Sequence, residues 1–411
     1  MSDTNKTERL YYSDSHLTEF EARVTSVTTT EDGRTAVTLD RTAFYPTGGG
    51  QPHDTGTLGE ARIVDCINQE DEVFHIIEEQ IPQKDQTVVG NVDWPRRLDH
   101  IQQHTGQHIL SRVFVELFRA ETHGFRLLER YSEIDVQLDD PSDERIEQAV
   151  GEANRIIWQN RLVRIHHNIT AEAAARLPLL RQRFAREGSM RIIEIEDFDM
   201  NPCGGTHARQ TGEVGLIAVR SWERAKGMTR LEFVAGERAL TDYKEVNRTA
   251  RSIARVFSVG RDEATASVLR LVEEHKSLSR RVRSLEEAGA RVEADALLAA
   301  AMPDASGLRI IAHTFTDRDA DALKFLANQI AAHPRSIALL GTTVGAGNEA
   351  MARLVFARAA DAPGDMNLLM REACLMVEGR GGGRPDLAQG GGPRVEQLQA
   401  AIQHALSLLP K

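Results

Sequence analysis

The stretch from residue 96 to residue 119, RRLDHIQQHTGQHILSRVFVELFR, decides how the middle of the chain folds. Its apolar residues recur at helical spacing and predict an amphipathic helix: Leu98, Ile101, Ile109, Val113 and Leu117. Pro95 suits the first turn of this helix, and Asp93 is placed to cap it. His104 and His108 are one turn apart, so both imidazoles are expected on the same helix face.

A second motif, Asn201-Pro-Cys-Gly-Gly-Thr-His207, lies far along the chain from this helix. Its proline and two glycines predict a tight loop that can fold a thiolate and an imidazole around one ion. Thiolate and imidazole both suit zinc. The two motifs together predict one Zn²⁺ per chain, held by His104, His108, Cys203 and His207. A purely structural zinc stays open as an alternative, because catalytic sites usually keep one position for water.

Composition sets the broad class. A chain of 411 residues is long enough for two to four domains. No run of eighteen apolar residues and no secretory signal are visible, so we expect a cytoplasmic protein without a membrane span. The three cysteines, Cys66, Cys203 and Cys374, are far apart, which disfavours a disulfide framework.

The order of the predicted elements indicates an α+β multidomain fold. Residues 20–92 alternate in short runs separated by turn signals, which is typical of a small antiparallel barrel or sandwich. A strand–helix pattern returns near the C-terminus, with a glycine-rich loop predicted from Gly379 to Pro393. We therefore expect four segments: a β-barrel with a glycine-rich motif over 1–95, a zinc-containing α+β domain over 96–258, a helical linker over 259–304 and an α/β domain over 305–411.

The linker carries a coiled-coil pattern. Within residues 262–302, apolar residues recur every seven positions, at Leu271, Leu278, Leu285 and Val292. Two interpretations stay open for this stripe. It forms either an intermolecular seam in a homodimer or a helical hairpin inside one chain.

These motifs resemble a known family. The sequence His104-Thr-Gly-Gln-His108, with Cys203-Gly-Gly-Thr-His207, resembles the editing domain of alanyl-tRNA synthetase and the free-standing alanyl-tRNA editing proteins called AlaX, here of the long type. FYPTGGGQPHDTG at 44–56 is similar to the glycine-rich motif of the barrel that precedes that domain. RAKGMTRLEFVAG at 224–236 is similar to the strand pair after the zinc loop. GGGRPDLAQGGG at 381–392 resembles the C-terminal domain shared with the DHH phosphoesterases.

The resemblance implies a zinc-dependent hydrolase that edits in trans, without aminoacylation activity. Its substrate would be tRNA(Ala) mischarged with serine, and tRNA(Ala) mischarged with glycine is a second candidate. Such editing is needed because an alanine pocket rejects an added hydroxyl poorly and cannot exclude glycine. The alternative from another class is a non-catalytic tRNA- or RNA-binding protein with a structural zinc. A phosphoesterase is disfavoured, because Asp99-His100-Ile101 is not the Asp-His-His motif which that reaction requires.

The resemblance also implies roles for individual residues. His104 and His108 would serve catalysis as ligands, Thr122 and His123 would line the amino-acid pocket, and substrate contacts would come from Gly48, Gly49, Gly50 and Gln51. Arg380 and Arg384 would contact the tRNA backbone. A net charge of −11 means that further RNA contacts need local basic clusters. The candidates are Arg176, Arg181, Arg183, Arg186 and Arg191, and Arg220, Arg224, Lys226 and Arg230. A homodimer would form through residues 262–302 or the C-terminal domain.

Overall fold

The computed structural model describes residues 6–174, 176–177, 190–316 and 318–410. The chain divides into two compact units, Met1–Ile253 and Ala254–Lys411. Both units mix helices with sheets, as the sequence predicts. Within the described residues, no helix is both long and apolar enough to cross a membrane.

The first unit begins with a closed barrel. Its strands, in chain order, are β1 (Glu8–Arg9), β2 (Glu19–Thr29), β3 (Thr35–Leu39), β4 (Arg41–Thr42), β5 (Gly56–Leu58), β6 (Ala61–Gln69), β7 (Glu72–Glu78) and β8 (Thr87–Val92). Six of them close in the order β2-β3-β7-β6-β5-β8, while β1 pairs with β4 outside the barrel. Alternate residues of β2 point inward, and Phe20, Ala22 and Val24 are buried there. Of the two architectures that the alternation allows, the chain adopts the barrel.

An α+β region completes the first unit. Its elements are α1 (Trp94–Phe118), β9 (Thr122–Leu127), β10 (Ser132–Val136), α2 (Asp143–Trp158), β11 (Val163–Ile169), α3 (Ala171–Ala174), β12 (Met190–Ile195), β13 (Asp199–Pro202), β14 (Ile217–Ala225), β15 (Met228–Ala235) and α4 (Gly236–Val256). Four strands form a sheet in the order β14-β15-β10-β9, and β11-β12-β13 form a second one. Apolar residues of α1 and α2 pack on the larger sheet, and Phe233 of β15 is fully buried in this core.

Helix α1 begins as the sequence predicts. The Asp93 side chain accepts a hydrogen bond from the Arg96 amide, and Pro95 lies in the first turn. The helix ends where Arg119 adopts a left-handed conformation with φ 55°. After the helix, Thr122–Leu127 forms β9, because it pairs along its length with β10. A helix predicted over 171–184 falls largely outside the described residues.

A buried ion pair fixes α1 on the barrel. Arg97 and Asp54 are both fully buried and pair through the guanidinium. Arg97 also donates to the carbonyl oxygens of Ser15 at 2.8 Å and Ala43 at 2.6 Å. Asp54 accepts from the Tyr45 amide at 2.6 Å. Because both charges are compensated on all sides, the start of the histidine helix is held in one position.

The second unit is a sheet covered by helices on both faces. Its elements are α5 (Ala264–Ala300), β16 (Arg309–Thr316), α6 (Ala320–Ala331), β17 (Ser336–Val344), β18 (Met351–Arg358), α7 (Met366–Met376), β19 (Arg380–Gly383), β20 (Leu387–Gly392) and α8 (Leu398–Ser407). The strand order is β16-β17-β18-β20-β19. Ile337 and Leu339 face the core under α7 and α8, whereas Ala338 and Leu340 face the core under α5 and α6.

The glycine-rich loop predicted from Gly379 to Pro393 is wrong, since these residues form the hairpin of β19 and β20. The glycines serve a close approach between the hairpin and α7. A Cβ atom on Gly381 would lie 2.7 Å from Cys374 Sγ, and one on Gly390 would lie 2.4 Å from it. The absence of side chains therefore lets the strands lie directly against the helix.

The apolar stripe of α5 is exposed over most of its length. Leu278 and Leu285 are 61% and 64% exposed, whereas Ala294 further along the helix is buried against the core under α6. The prediction of an intermolecular seam stays a prediction, and the exposed leucines are the residues that such a seam would cover.

Candidate metal centre

Four residues predicted as zinc ligands come together in the first unit. One ligand atom each from His104, His108, Cys203 and His207 lies within 4.8 Å of the others. The two helix histidines come from α1, and the other two residues come from the loop after β13. All three histidines are buried, and the cysteine is partly buried.

The spacing of these atoms fits a small tetrahedral ion. Zinc–nitrogen and zinc–sulfur bonds of about 2.0–2.3 Å place neighbouring ligand atoms roughly 3.3–3.7 Å apart. Cys203 Sγ lies 3.5 Å from His104 Nε2 and 3.2 Å from His207 Nε2. The donor set of three imidazoles and one thiolate is also one that zinc accepts. The residues present therefore fit a Zn²⁺ ion.

His104 and His207 present their Nε2 atoms to Cys203 Sγ, and the Nδ1 atoms of all three histidines have oxygen neighbours outside the group. The Nδ1 atoms face oxygens from three different places in the fold: Gln51 Oε1 at 2.8 Å from His104, Asp199 Oδ2 at 3.5 Å from His108 and Thr105 Oγ1 at 3.3 Å from His207. Ligating histidines in metalloproteins usually have such partners, which fix the ring orientation and the tautomer.

Asp199 lies beside the candidate metal centre, and the sequence interpretation missed it. It is buried, and the Asn201 amide donates to its two carboxylate oxygens at 2.8 and 2.7 Å. Burial lowers the pKa of His108, but hydrogen bonds to Asp199 and Cys203 outweigh burial and raise it to about 9. The signal in the sequence was the alternation of β13, which sets Asp199 and Asn201 on one face.

The surroundings of Cys203 favour the thiolate form of its side chain. Burial alone would raise the pKa of Cys203, but electrostatic interactions with the neighbouring imidazoles and hydrogen bonds with His104 and His108 hold it well below its ordinary value. Burial lowers the pKa of His207 to about 3. A thiolate and a neutral imidazole are the forms that bind zinc, while His108 would release its proton on binding.

The loop that carries Cys203 is clamped by Arg191 on β12. Its Nη1 atom donates to the carbonyl oxygens of Cys203 at 2.7 Å and Gly205 at 2.9 Å, and Nε donates to the Tyr12 carbonyl at 3.0 Å. The Ser15 hydroxyl accepts from the His207 amide at 3.0 Å. The chain before the barrel thus helps to shape the metal loop, which no local pattern in the sequence predicted.

The glycine-rich motif lies beside the centre. The Gln51 side chain, predicted as a substrate contact, is fully buried and bonded to His104 and Thr206. Gly49 and Gly50 are exposed and have positive φ values of 56° and 84°. A Cβ on Gly50 would lie 2.5 Å from the Phe125 carbonyl oxygen, and the Phe125 ring in turn packs on His104 with 5.1 Å between ring centres.

The predicted pocket residues lie on β9. Thr122 is buried on the side of the strand that faces α1 and donates to the Ser111 hydroxyl at 2.8 Å. His123 is exposed on the opposite side, 3.2 Å from Gln137 Oε1. Because neighbouring strand residues point to opposite faces, the two do not share one surface.

The predicted RNA-contacting arginines are only partly described. Arg380 begins β19 and is exposed, and the nearby Arg384 pairs with Asp386 at 3.0 Å. Of the first basic cluster, Arg181, Arg183 and Arg186 lie outside the described residues. In the second cluster, ion pairs engage Arg220 with Asp242 and Arg230 with Asp135.

Comparison with known proteins agrees with this arrangement. Residues 190–232, which lead through the metal loop, match the family model of the threonyl and alanyl tRNA synthetase second additional domain. Residues 1–96 match the model of class II (A) tRNA synthetases, and residues 307–410 match the DHHA1 domain. These matches relate two segments of the first unit to aminoacyl-tRNA synthetases and the C-terminal segment to the DHHA1 domain.

Whole-chain relatives narrow this class. The chain is 32% identical to the alanyl-tRNA editing protein AlaX-L of Pyrococcus horikoshii, over 93% of this chain and 94% of that protein. It belongs to the AlaX-L family of alanyl-tRNA editing proteins. It is also 36% identical to the alanine–tRNA ligase of Pyrobaculum neutrophilum over 73% of this chain. It is 31% identical to the alanine–tRNA ligase of Natronomonas pharaonis over 100% of this chain. The chain spans only 35% and 44% of these two ligases.

Proposed function

We propose that the chain is a trans-editing hydrolase that removes the amino acid from mischarged tRNA(Ala), with Ser-tRNA(Ala) as its first substrate and Gly-tRNA(Ala) as a second candidate. The observation that carries the proposal is the group of His104, His108, Cys203 and His207, whose atoms and spacing suit one Zn²⁺ ion. Membership of the AlaX-L family supports alanyl-tRNA as the substrate class. Water adds to the ester carbonyl, the bond to the ribose oxygen breaks, and the free amino acid and the tRNA leave.

The proposal assigns separate roles to the metal ion and to the residues that would hold it. When bound, Zn²⁺ supplies a Lewis acid for the ester carbonyl and a fixed point for the aminoacyl end. His104, His108, Cys203 and His207 hold the ion. The four ligands leave little room for a bound hydroxide, which favours polarisation and positioning.

The amino-acid pocket is proposed on the α1 side of β9. Thr122 is the better candidate for a hydrogen bond to the serine hydroxyl, because it lies on the strand face that packs towards the histidine helix. His123, on the outer face, is proposed to contact the tRNA end instead. Gly48, Gly49 and Gly50 are proposed to let the backbone approach the substrate closely, since two of them are exposed.

The C-terminal unit is proposed to bind the body of the tRNA. Arg380 is exposed at the start of the glycine hairpin, and Arg384 is 73% exposed in its side chain despite its ion pair. Guanidinium groups and backbone amides at such a hairpin suit phosphate contacts. Dimerisation through the stripe on α5 is a separate proposal with its own test, given in the Discussion.

A deacylation assay tests the function. Seryl-tRNA(Ala) is incubated with the wild type, with Cys203→Ala and with Cys66→Ala, which alters a buried barrel cysteine outside the site. We expect Cys203→Ala to lose at least ~100-fold in rate, since a metal Lewis acid contributes several kcal/mol. Cys66→Ala should keep most of the rate, and all three proteins should bind tRNA.

The same assay distinguishes the hydrolase from the alternative, a non-catalytic tRNA-binding protein. Four protein ligands are the usual pattern of a structural zinc, which is the observation in favour of a non-catalytic tRNA-binding protein. Wild-type protein that contains stoichiometric zinc and binds tRNA, yet shows no turnover at any enzyme concentration, would establish that alternative.

A further inference from the structure

The barrel contributes one buried amide to the metal centre, at Gln51. We propose that Gln51 is a positioning residue: it commits His104 to binding metal through Nε2 and joins the two ligand-bearing segments. The inference rests on the metal centre of the proposed function. It assigns the Gln51 side chain to the support of a ligand rather than to contact with substrate.

The loop around Gln51 is built to hold that side chain in place. Reciprocal backbone hydrogen bonds of 3.0 and 2.9 Å close the turn between Gly48 and Gln51. The carbonyl of Gly50 accepts from the Leu127 amide at 2.8 Å, which pins the loop to β9. A side chain at Gly50 would collide with the Phe125 backbone. Loop and strand therefore fix the position from which Gln51 reaches inward.

The Gln51 amide has only one acceptable orientation. The backbone amide of Thr206 can only donate, and it lies 3.2 Å from Gln51 Oε1. The other end of the amide, Nε2, donates to the Thr206 hydroxyl at 2.9 Å. Exchanging oxygen and nitrogen would set two donors against each other, so the oxygen must face Thr206 N.

That orientation fixes the tautomer of His104. The same Oε1 atom lies 2.8 Å from His104 Nδ1 and has no hydrogen to offer. His104 must therefore carry its proton on Nδ1 and donate it to Gln51. With that proton on Nδ1, a neutral His104 has its lone pair on Nε2, the atom that lies 3.5 Å from Cys203 Sγ. Nε2 is therefore the ring nitrogen that would bind the metal.

The Gln51 side chain also connects two separate segments of the metal centre. His104 belongs to α1, and Thr206 belongs to the metal loop between Cys203 and His207. The amide bonds to both and is itself fully buried. Thr105 plays a related part for His207, but it belongs to the same helix as His104. The barrel is therefore a structural component of the metal centre.

Matched substitutions test this role. Gln51→Met keeps the bulk and removes the amide, whereas Gln51→Glu keeps an oxygen that can accept from both His104 and Thr206. The control is Gln103→Met, which removes another fully buried amide of the same unit, bonded to the Ala235 backbone at 2.9 and 2.8 Å. Zinc affinity is measured by competition with a chelator. The protonated ring nitrogen of His104 is identified in metal-free, ¹⁵N-histidine-labelled protein by NMR, with His104→Ala for assignment.

We expect Gln51→Met to weaken zinc binding by ~10–100-fold and to lose the single Nδ1–H form of His104. Gln51→Glu should stay within about threefold of the wild type, and Gln103→Met should not alter zinc affinity. A folded Gln51→Met protein with wild-type affinity and an unchanged tautomer would overturn the inference while leaving the hydrolase proposal intact. A wild type that binds no zinc would overturn both. A wild type that binds zinc as expected but does not hydrolyse seryl-tRNA(Ala) would overturn only the proposed function.

Discussion

Replacing Gly205 by alanine is the sharpest test of the metal centre. Gly205 lies two residues after Cys203 in the metal loop. A Cβ atom there would lie 2.2 Å from His104 Cε1 and 2.4 Å from its Nδ1. The backbone at Gly205 is not in the left-handed region, so alanine meets no conformational penalty there. The added methyl group would press on His104 and would also lie 3.1 Å from Gln51 Oε1, so the substitution disturbs one ligand together with its hydrogen-bond partner.

The size of the effect follows from these distances. Carbon atoms in contact prefer separations of about 3.5–4.0 Å, so loop and imidazole must separate by roughly 1.5 Å. Metal–ligand distances tolerate deviations of only about 0.2 Å. His104 therefore cannot remain a ligand while the loop keeps Cys203 and His207 in place. We expect zinc affinity to fall by at least ~100-fold, or about 2.8 kcal/mol.

The adjacent glycine supplies a matched control. A Cβ on Gly204 would lie 3.6 Å from Tyr12 Oη and 3.9 Å from its Cε1, which is ordinary contact. Metal content is measured by plasma mass spectrometry and affinity by chelator competition, for wild type, Gly204→Ala and Gly205→Ala. Gly204→Ala should retain the metal. A folded Gly205→Ala protein that binds zinc as tightly as the wild type would refute the assignment of His104 as a ligand.

Three further predictions concern stability and assembly. Arg97→Met should lower the free energy of unfolding in urea by about 3–5 kcal/mol, because it leaves Asp54 as an uncompensated buried charge; a loss under about 1 kcal/mol would contradict this. Burial lowers the pKa of His75 to about 4, so only the unfolded chain binds this proton below about pH 6.5, and stability should fall by roughly 3 kcal/mol between pH 6.5 and 4. His75→Gln should flatten that decline in pH-dependent melts, and an equally steep slope in the variant would exclude His75 as its source. If a second copy covers α5, Leu278→Glu with Leu285→Glu should convert a sedimenting dimer to a folded monomer with a lower melting temperature, because association stabilises the native state; a monomeric wild type would end the proposal.

Local signals predicted some elements well. The helix α1 was predicted because its periodicity, the cap at Asp93 and the first-turn Pro95 all act within a few residues. Strand β9 was missed because the short segment Thr122–Leu127 contains Gly124 and the charged Arg126, and its pairing with β10 decides its conformation. Glycines at 381 and 390 suggested a loop, since sequence alone does not reveal that α7 lies against them.

The candidate site divides in the same way. Residue chemistry singled out the four residues that the structure brings together as a group that could hold a metal ion, because few side chains other than cysteine and histidine suit zinc at such spacings. The oxygens behind the histidines, on Gln51, Asp199 and Thr105, were assigned otherwise or missed. Their role depends on which segments meet in space, and Gln51 and Thr206 are 155 residues apart. The geometry of the fold supplies this information, and no spacing along the chain encodes it.

The separation of Cys203 from His104, 99 residues along the chain, has a consequence for biosynthesis. A ribosome adds about 5–20 residues per second, so the histidine helix emerges roughly 5 to 20 seconds before the cysteine loop is made. During that interval only His104 and His108 of the four predicted ligands have been made. The complete group of four can form only after the second motif is synthesised, so we expect a chain that is stopped between the two motifs to lack this metal site.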